Sequence, residues 1–357
     1  YLNHAGRVQS PIEGDDQMSW ESAPKLNGIY LFNYLTRNNY QVALINTFNS
    51  EKDRFKQLLD RHPRVVIIST TFIPGKQKLI KLVADIRELA PDVFIIAGGP
   101  LVYASYLMLK RSREPDYDTR SAINDFLFLG TDNEPAVDLY ISSLRGEQLL
   151  SDILERFQEH RGIDDIPNCA RLIDKEYHFT ERMDDINSSE DFPVDWQMLP
   201  NDLFRAGVVP MQASNGCPYN CTFCNFTKDR RLTWVKSTER IVAEMKAVHE
   251  RGARYVWFVD DNFRLGHNDL GAVCRRFIDE HLEIKWMTFV RASTLDHVDT
   301  DLLRQAGCIE VQLGLESADP RILKNMNKMA SPELYGRVLR KLLGSGINCS
   351  CYFIFGF

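Results

Sequence analysis

The stretch that decides the fold is Asn215-Gly216-Cys217-Pro218-Tyr219-Asn220-Cys221-Thr222-Phe223-Cys224, which directly follows the strand-like run 208–213. A loop that leaves a strand end can turn three thiols toward one point, and its Gly and Pro supply the tight turns that this requires. Three thiolates suit a soft metal centre. A structural zinc site needs a fourth Cys or His nearby, and the nearest downstream histidine, His249, falls within a predicted helix. A [4Fe–4S] cluster held by three thiolates would leave one iron open to a further ligand.

Length and composition indicate an ordinary globular chain. The 357 residues are 44% hydrophobic and 26% charged, which excludes disorder, and at roughly 150 residues per domain the length predicts two domains. The net charge of −6 provides no electrostatic footprint for nucleic acid, and no apolar run is long enough for a membrane span. Eight cysteines are too few for a disulfide scaffold and no signal peptide is evident, so we expect a cytoplasmic protein. Because the chain starts at Tyr1 and stops within a strand pattern, we expect a piece of a longer protein.

Strand and helix patterns alternate after the cysteine loop. With the run 208–213, five strand patterns occur, the others being 255–259, 285–290, 309–315 and 349–357. This spacing predicts parallel strands in a barrel or an open α/β sheet, with ligands at the carboxyl ends of the strands. Three of these ends carry polar residues, namely Asp260, Asp261 and Asn262, then Arg291, then Glu316 and Ser317. The alternative is that the acidic residues only cap the helices that follow.

The first half of the chain alternates in the same way. Four apolar strand patterns are at 42–45, 65–68, 93–97 and 126–129. Fully apolar strands predict a sheet that is covered on both faces, as in a doubly wound α/β domain. No G-x-G-x-x-G follows a strand, so a dinucleotide site has no fingerprint. Two strand ends are suited to close approach by a ligand, although short turns explain them equally well: Ser69-Thr70-Thr71 and Gly98-Gly99-Pro100.

The spacing C-x3-C-x2-C, with an aromatic residue just before the last cysteine, resembles the signature of the radical S-adenosylmethionine (SAM) enzymes. The resemblance implies a [4Fe–4S] cluster held by Cys217, Cys221 and Cys224, a SAM molecule on the fourth iron, and contact of Phe223 with the adenine. Residues 259–263, 312–317 and 323–328 resemble segments of the cobalamin-associated branch of that family. The implied SAM contacts are Asp260, Asp261, Asn262, Arg291, Glu316 and Ser317.

The first half resembles the cobalamin-binding domain of the same branch. The resemblance implies that cobalamin is lined by Ser69, Thr70, Thr71, Gly98, Gly99 and Pro100. The D-x-H-x-x-G motif that supplies a cobalt ligand elsewhere is absent, since the nearest match, Asp60-Arg61-His62, lacks the Gly. A degenerate domain that no longer binds cobalamin therefore remains an alternative. The predicted fold is α/β, with a doubly wound, Rossmann-like domain (1–150), a linker (151–206) and a partial (β/α) TIM-type radical SAM barrel (207–357) that is truncated at its C-terminus.

The resemblance implies an enzyme that cleaves SAM to a 5′-deoxyadenosyl radical, and with cobalamin it implies a C-methyltransferase. Two alternatives stay open, a non-methylating cyclisation or rearrangement and a non-catalytic iron–sulfur or zinc module. The expected partners are a small-molecule or peptide substrate and a one-electron donor such as flavodoxin or ferredoxin, with neither nucleic acid nor membrane. Lys228, Arg230 and Arg231 either dock that donor or form a solvated surface.

Overall fold

The computed structural model describes residues 23–115, 117–120, 122–130, 134–143, 146–183, 194–224, 234–263 and 270–357. These residues form two compact units, one containing 30–183 and the other 23–29 together with 194–357. Each unit is built on a five-stranded sheet with helices, so the predicted α/β class is confirmed. No helix within the described ranges is both long and apolar enough to cross a bilayer.

The first unit contains the elements that surround the N-terminal sheet. In chain order they are α1 (Leu26–Arg37, of which residues 30–37 belong to this unit), α2 (Lys52–Leu59), β1 (Val65–Ser69), α3 (Lys76–Leu89), β2 (Phe94–Gly98), α4 (Pro100–Arg111), β3 (Leu139–Ile141), α5 (Glu147–Gln158), β4 (Cys169–Ile173) and β5 (Glu176–Phe179).

Helices cover both faces of this sheet, as the apolar strands predict. In β2, Ile95 and Ala97 pack with residues of α3 and α4, whereas Ile96 between them packs with residues of α1 and α5. Successive side chains of a strand point to opposite faces, so an unbroken apolar run feeds two cores at once. The strand order is β1-β2-β3-β4-β5, with parallel pairing from β1 to β3 and antiparallel pairing from β3 to β5.

Two predicted strands of this unit are wrong. Residues 42–45 and 126–129 are not strands, and the third strand is instead Leu139–Ile141. Leu127 and Phe128 are buried, but Leu127 N–H donates to Ser105 Oγ of α4 at 3.0 Å, and Phe128 has a φ of 70°. The run is apolar because it packs in a core beneath a helix, which a periodicity argument cannot separate from strand pairing.

The strand order and the domain limits also differ from the prediction. Among the described residues the strands follow chain order, without the reversal of a doubly wound sheet. The interval 151–206, predicted as a linker, contributes β4 and β5 to the N-terminal sheet. The turn between them has positive φ at Asp174 (49°) and Lys175 (65°), as in a two-residue hairpin turn of type I′.

The second unit contains the elements around the C-terminal sheet. They are β6 (Val208–Met211), β7 (Ser214–Asn215), β8 (Trp234–Val235), α6 (Thr238–Glu250), β9 (Tyr255–Phe258), α7 (Leu270–Asp279), β10 (Lys285–Val290), α8 (Ala292–Leu295), α9 (Thr300–Gln305), β11 (Cys308–Glu316), α10 (Pro320–Asn325), α11 (Pro332–Gly344) and β12 (Asn348–Phe353).

The C-terminal sheet has the order β6-β9-β10-β11-β12, and every neighbouring pair is parallel. Strands that are adjacent both in the chain and in the sheet are the arrangement found in the wall of a (β/α) barrel. All five strands that the sequence predicts here are present. Ser237 caps the start of α6, because its Oγ accepts from Arg240 N–H at 3.2 Å. The carboxyl ends of the five strands therefore share one edge, onto which the cysteine loop opens.

Candidate functional site

The start of the cysteine loop is held by the residues that follow β9. Gly216 N–H donates to Asp261 Oδ2 at 2.9 Å. Asp260 accepts from Ala213 N–H at 3.2 Å and from the Ser214 hydroxyl at 2.6 Å. Gly216 has a φ of 89°, a conformation that favours glycine, directly before Cys217. Asp260 and Asp261 thus anchor the loop to the sheet. This role is neither of the two predicted for them, which were contact with SAM and capping of the next helix.

Burial makes Asp260 an unusual carboxyl group. Desolvation raises its pKa to about 6, while hydrogen bonds from Ser214 and Ala213 oppose that shift. Its side chain is directed toward the end of β6 and the start of β7. In this structure its hydrogen bonds fix the backbone beneath the cysteine loop.

The end of the cysteine loop is held by a segment about a hundred residues further along the chain. Thr222 N–H donates to Met326 O at 3.0 Å, and its hydroxyl donates to Asn325 O at 3.1 Å. Asn327 Nδ2 donates to Asn220 O at 2.8 Å. The segment 323–328, which resembles a segment of the cobalamin-associated branch, therefore clamps the loop between its cysteines.

Arg291 connects β10 to the cysteine loop. Its Nη1 donates to Cys221 Sγ at 3.3 Å, and its Nη2 donates to Lys328 O. The guanidinium lies 3.8 Å from the ring centroid of Tyr219, a residue that stands between the first two cysteines in the sequence. Its backbone N–H donates to Asn262 Oδ1 at 3.1 Å. Strand ends β9 and β10 thereby meet at the middle cysteine.

A buried ion pair lies at the end of β11. Lys328 Nζ is 2.8 Å from Glu316 Oε1, and the two side chains are 7% and 11% exposed. Glu316 has a φ of 64°, where a β-bulge interrupts the pairing with β12. A Cβ at Gly314 would lie 2.5 Å from Glu316 Oε1, so any other residue there would force this carboxylate to shift. A non-glycine residue in the left-handed region is a local strain of the kind that collects at functional sites.

Two aromatic rings extend the site toward the end of the fifth strand. Phe223 lies edge-on to Phe357, with ring centroids 6.5 Å apart. Lys328 Nζ lies 5.8 Å from the Phe223 ring centroid. Ser317, by contrast, serves the turn before α10, because its Oγ accepts from Asp319 N–H at 3.1 Å.

The residues around the loop fit an anionic cluster and a polar ligand. Cys221 is buried and the other two thiols are half-buried, and burial raises the pKa of Cys217. Two buried polar atoms, Asn262 Nδ2 and Arg291 Nε, have no hydrogen-bond partner in the described part of the chain. Buried donors of this kind ordinarily have an acceptor, so we expect a bound group to supply a hydrogen-bond acceptor beside these two atoms. In the described ranges, no three His, Cys, Asp or Glu side chains are already gathered as a metal site.

The predicted cobalamin residues form one rim at the ends of β1 and β2. Thr70 Oγ1 donates to Gly98 O at 2.9 Å and accepts from Leu101 N–H at 3.2 Å. Gly99 has a φ of 106°, and a Cβ there would lie 3.1 Å from Thr70 Oγ1. The rim also includes the hydroxyl groups of Ser69 and Thr71. Pro100, the first residue of α4, completes it. These groups suit a ligand that approaches the strand ends closely.

Sequence reasoning missed residues at both edges. Ser142 and Ser143 follow β3 and are 2% and 3% exposed, so they continue the rim of the N-terminal sheet. They were missed because the third strand was placed at 126–129. Tyr219 and Lys328 were not singled out either, although both lie within quoted segments. Lys228, Arg230 and Arg231 lie outside the described residues.

Residues 211–357 match the sequence model of the Radical SAM superfamily. This stretch therefore carries a radical SAM domain, which confirms the predicted resemblance and the prediction of an enzyme.

Several individual proteins are similar to this chain over most of its length. An uncharacterized methyltransferase of Pyrococcus horikoshii is 24% identical over 94% of this chain and 70% of its own length. The anaerobic magnesium-protoporphyrin IX monomethyl ester cyclase of Rubrivivax gelatinosus is 21% identical over 92% of this chain, which spans 58% of that relative. Among solved structures, the radical SAM methyltransferase TsrM of Kitasatospora setae, with cobalamin and a [4Fe–4S] cluster bound, has a TM-score of 0.68. It is 16% identical over 96% of this chain and 66% of its own, a likeness of fold.

Proposed function

We propose that this enzyme is a cobalamin-dependent radical SAM C-methyltransferase whose [4Fe–4S] cluster is held by Cys217, Cys221 and Cys224. The observation that carries the proposal is the cysteine loop itself, which is held in place by hydrogen bonds from the ends of two parallel strands, β9 and β10, and from the segment 323–328. The three thiols are not gathered in this structure, but a loop held from several sides keeps them near the shared edge of the sheet.

When bound, the reduced cluster and SAM supply an electron and the 5′-deoxyadenosyl radical that removes hydrogen from an unactivated carbon. The chain supplies the positions. Asn262 presents an unpaired amide donor at the end of β9. Phe223 and Phe357 provide aromatic surface for the adenine, and Glu316 with Lys328 offers a carboxylate and an ammonium for the ribose and methionine parts of SAM.

Cobalamin is assigned to the rim formed by Ser69, Thr70, Thr71, Gly98, Gly99 and Pro100. The positive φ of Gly99 and the buried hydroxyl of Thr70 form a tight corner over which a flat group can approach the backbone. Support comes also from the two methyltransferases among the similar proteins, one of which binds cobalamin. Methyl transfer through cobalamin follows if both cofactors bind. The substrate class is a small molecule or peptide, and the electron comes from a one-electron donor such as flavodoxin or ferredoxin.

A second candidate is a radical SAM cyclase that transfers no methyl group. It is favoured by the cyclase of Rubrivivax gelatinosus among the relatives. A non-catalytic metal module is the third alternative, and it differs from both in cleaving no SAM.

The test uses the full-length protein, reconstituted without oxygen with iron, sulfide and hydroxocobalamin and then reduced in the presence of SAM. Mass spectrometry of 5′-deoxyadenosine and S-adenosylhomocysteine separates the candidates. Both products support the methyltransferase, whereas deoxyadenosine alone supports the cyclase. Neither product, from protein that holds its iron, would overturn both. The matched variants are Cys221→Ser, which should lose the cluster, and Cys274→Ser, in α7, which should keep it.

A further inference from the structure

Arg291 carries a positive charge that is almost fully buried. Its relative exposure is 8%, and no carboxylate of the described residues lies within ion-pair distance of its guanidinium. A buried charge without a counter-charge is costly, and proteins ordinarily supply an anion or shift the group into water. The guanidinium of arginine stays protonated at all ordinary pH values, so loss of a proton does not remove the cost of burying this charge. An anion bound beside the guanidinium would supply the counter-charge that the described residues do not.

The atoms that surround the guanidinium indicate what that anion is. Nη1 points to Cys221 Sγ at 3.3 Å, and Nη2 is used by Lys328 O. Cys221 is the most buried of the three loop cysteines, at 6% exposure. A cluster-bound thiolate at Cys221 would give Nη1 a charged acceptor where the free thiol gives only a weak one.

Two neighbouring residues hold Arg291 in contact with Cys221. The Tyr219 ring covers one face of the guanidinium at 3.8 Å, and Asn262 fixes the backbone of Arg291 from the end of β9. Cation–π contact and backbone anchoring limit the rotamers of a long side chain, so less entropy is lost in holding the hydrogen bond.

We infer that Arg291 is a positioning residue that donates a hydrogen bond to the Cys221 thiolate and thereby raises the reduction potential of the cluster. The inference rests on the proposed function. On reduction the cluster takes up one electron from the one-electron donor, its negative charge increases by one, and no proton leaves Arg291. A cation and a hydrogen-bond donor at a cluster sulfur stabilise the more negative, reduced form, which makes the cluster easier to reduce.

The test is a redox titration of the reconstituted full-length protein, followed by electron paramagnetic resonance in the absence of SAM. We expect Arg291→Met to make the one-electron reduction equilibrium about tenfold less favourable, which corresponds to a potential about 59 mV more negative. Arg291→Lys keeps the charge but loses the planar guanidinium. Its reduction potential should lie between those of Arg291→Met and the unchanged protein. The matched control is Arg337→Met, on α11, whose guanidinium pairs with Asp296 at 2.9 Å.

A second readout identifies the hydrogen bond itself. In deuterated solvent the iron–thiolate stretching bands of resonance Raman spectra should shift in the unchanged protein and not in Arg291→Met. If that variant holds no cluster, Tyr219→Leu replaces it, because removing the ring frees the guanidinium and should lower the potential in the same direction. Equal potentials and equal Raman shifts in all variants would overturn the inference alone. A full-length protein that takes up no iron would overturn the proposed function and this inference together.

Discussion

Asp261 and Gly216 form the hydrogen bond that fastens the cysteine loop to the end of β9, with Gly216 N–H donating to Oδ2 at 2.9 Å. The bond joins the segments that follow two adjacent parallel strands, β6 and β9, immediately before the first cysteine. It makes the shape of the loop depend on a carboxylate that is not itself a thiol ligand.

Replacing Asp261 with Ala should weaken retention of the cluster. Loss of a hydrogen bond to a charged group costs about 2 kcal/mol, enough to lower retention of iron more than tenfold if it falls on the loop. Asp261→Asn keeps an acceptor oxygen and should retain more iron. Iron and sulfide per chain after anaerobic reconstitution measure the effect, with Asp301→Ala on the exposed side of α9 as control. Full iron content in Asp261→Ala would show that the loop holds its shape without this bond.

Gly99 and Gly98 provide a matched pair for the N-terminal rim. Gly99→Ala places a Cβ 3.1 Å from Thr70 Oγ1 at a φ of 106°, whereas Gly98→Ala makes only ordinary contact with Ile141 at 3.5 Å. We expect Gly99→Ala to cost about 1 to 2 kcal/mol of stability and to weaken cobalamin binding severalfold, since it displaces the Thr70 corner. Gly98→Ala should change both much less. Urea unfolding and spectroscopic titration with hydroxocobalamin measure the two quantities. Equal binding by both variants would remove this rim from the cobalamin site.

The Glu316–Lys328 pair predicts an asymmetric response to mutation. Lys328→Met leaves the Glu316 carboxylate buried without a partner, which should cost about 3 to 5 kcal/mol in unfolding free energy. The double variant Glu316→Gln/Lys328→Met removes both charges and should recover much of that loss. Chemical denaturation of the four proteins in this cycle provides the measurement. A double variant as unstable as Lys328→Met would mean that the damage comes from lost packing rather than from an uncompensated charge.

Asp260 predicts a pH dependence of stability. Its folded pKa of about 6 exceeds the ordinary value of 3.8, so between pH 4 and 6 the folded state binds a proton that the unfolded chain does not. The contribution is therefore fully present below about pH 4 and is lost as the pH rises through 6. Relative to Asp260→Asn, the unchanged protein should lose up to about 3 kcal/mol over that window. Denaturant unfolding of both proteins at several pH values tests this, and parallel pH curves would contradict it.

Local patterns were sufficient for the C-terminal sheet. Each of its strands is a short apolar run, three of them end in polar residues, and the period of the flanking helices separates one element from the next. The same logic led to Asp261, Asn262 and Arg291, because the carboxyl ends of parallel strands meet at one edge. The roles of these residues required more. That Arg291 reaches Cys221 depends on the side-chain path across the sheet edge, which no spacing encodes.

The N-terminal unit shows where such patterns fail. The run containing Leu127 and Phe128 is as apolar as a strand, yet its backbone partner is the hydroxyl of Ser105 on a helix. Burial alone does not distinguish the two outcomes. The hairpin through Asp174 and Lys175 was missed because neither residue is the glycine or asparagine that usually marks positive φ at such turns.

The clamp on the cysteine loop has a consequence for how the enzyme is made. Asn220 and Thr222 are held by Asn325, Met326 and Asn327, which leave the ribosome only after a further hundred residues have been synthesised. Until then the loop lacks the hydrogen bonds to Asn220 and Thr222 and has only those from residues such as Asp261 and Arg291. We therefore expect delivery of iron and sulfur to come late in maturation, after Asn325 has been made, because before then the segment that clamps the loop between its cysteines does not exist.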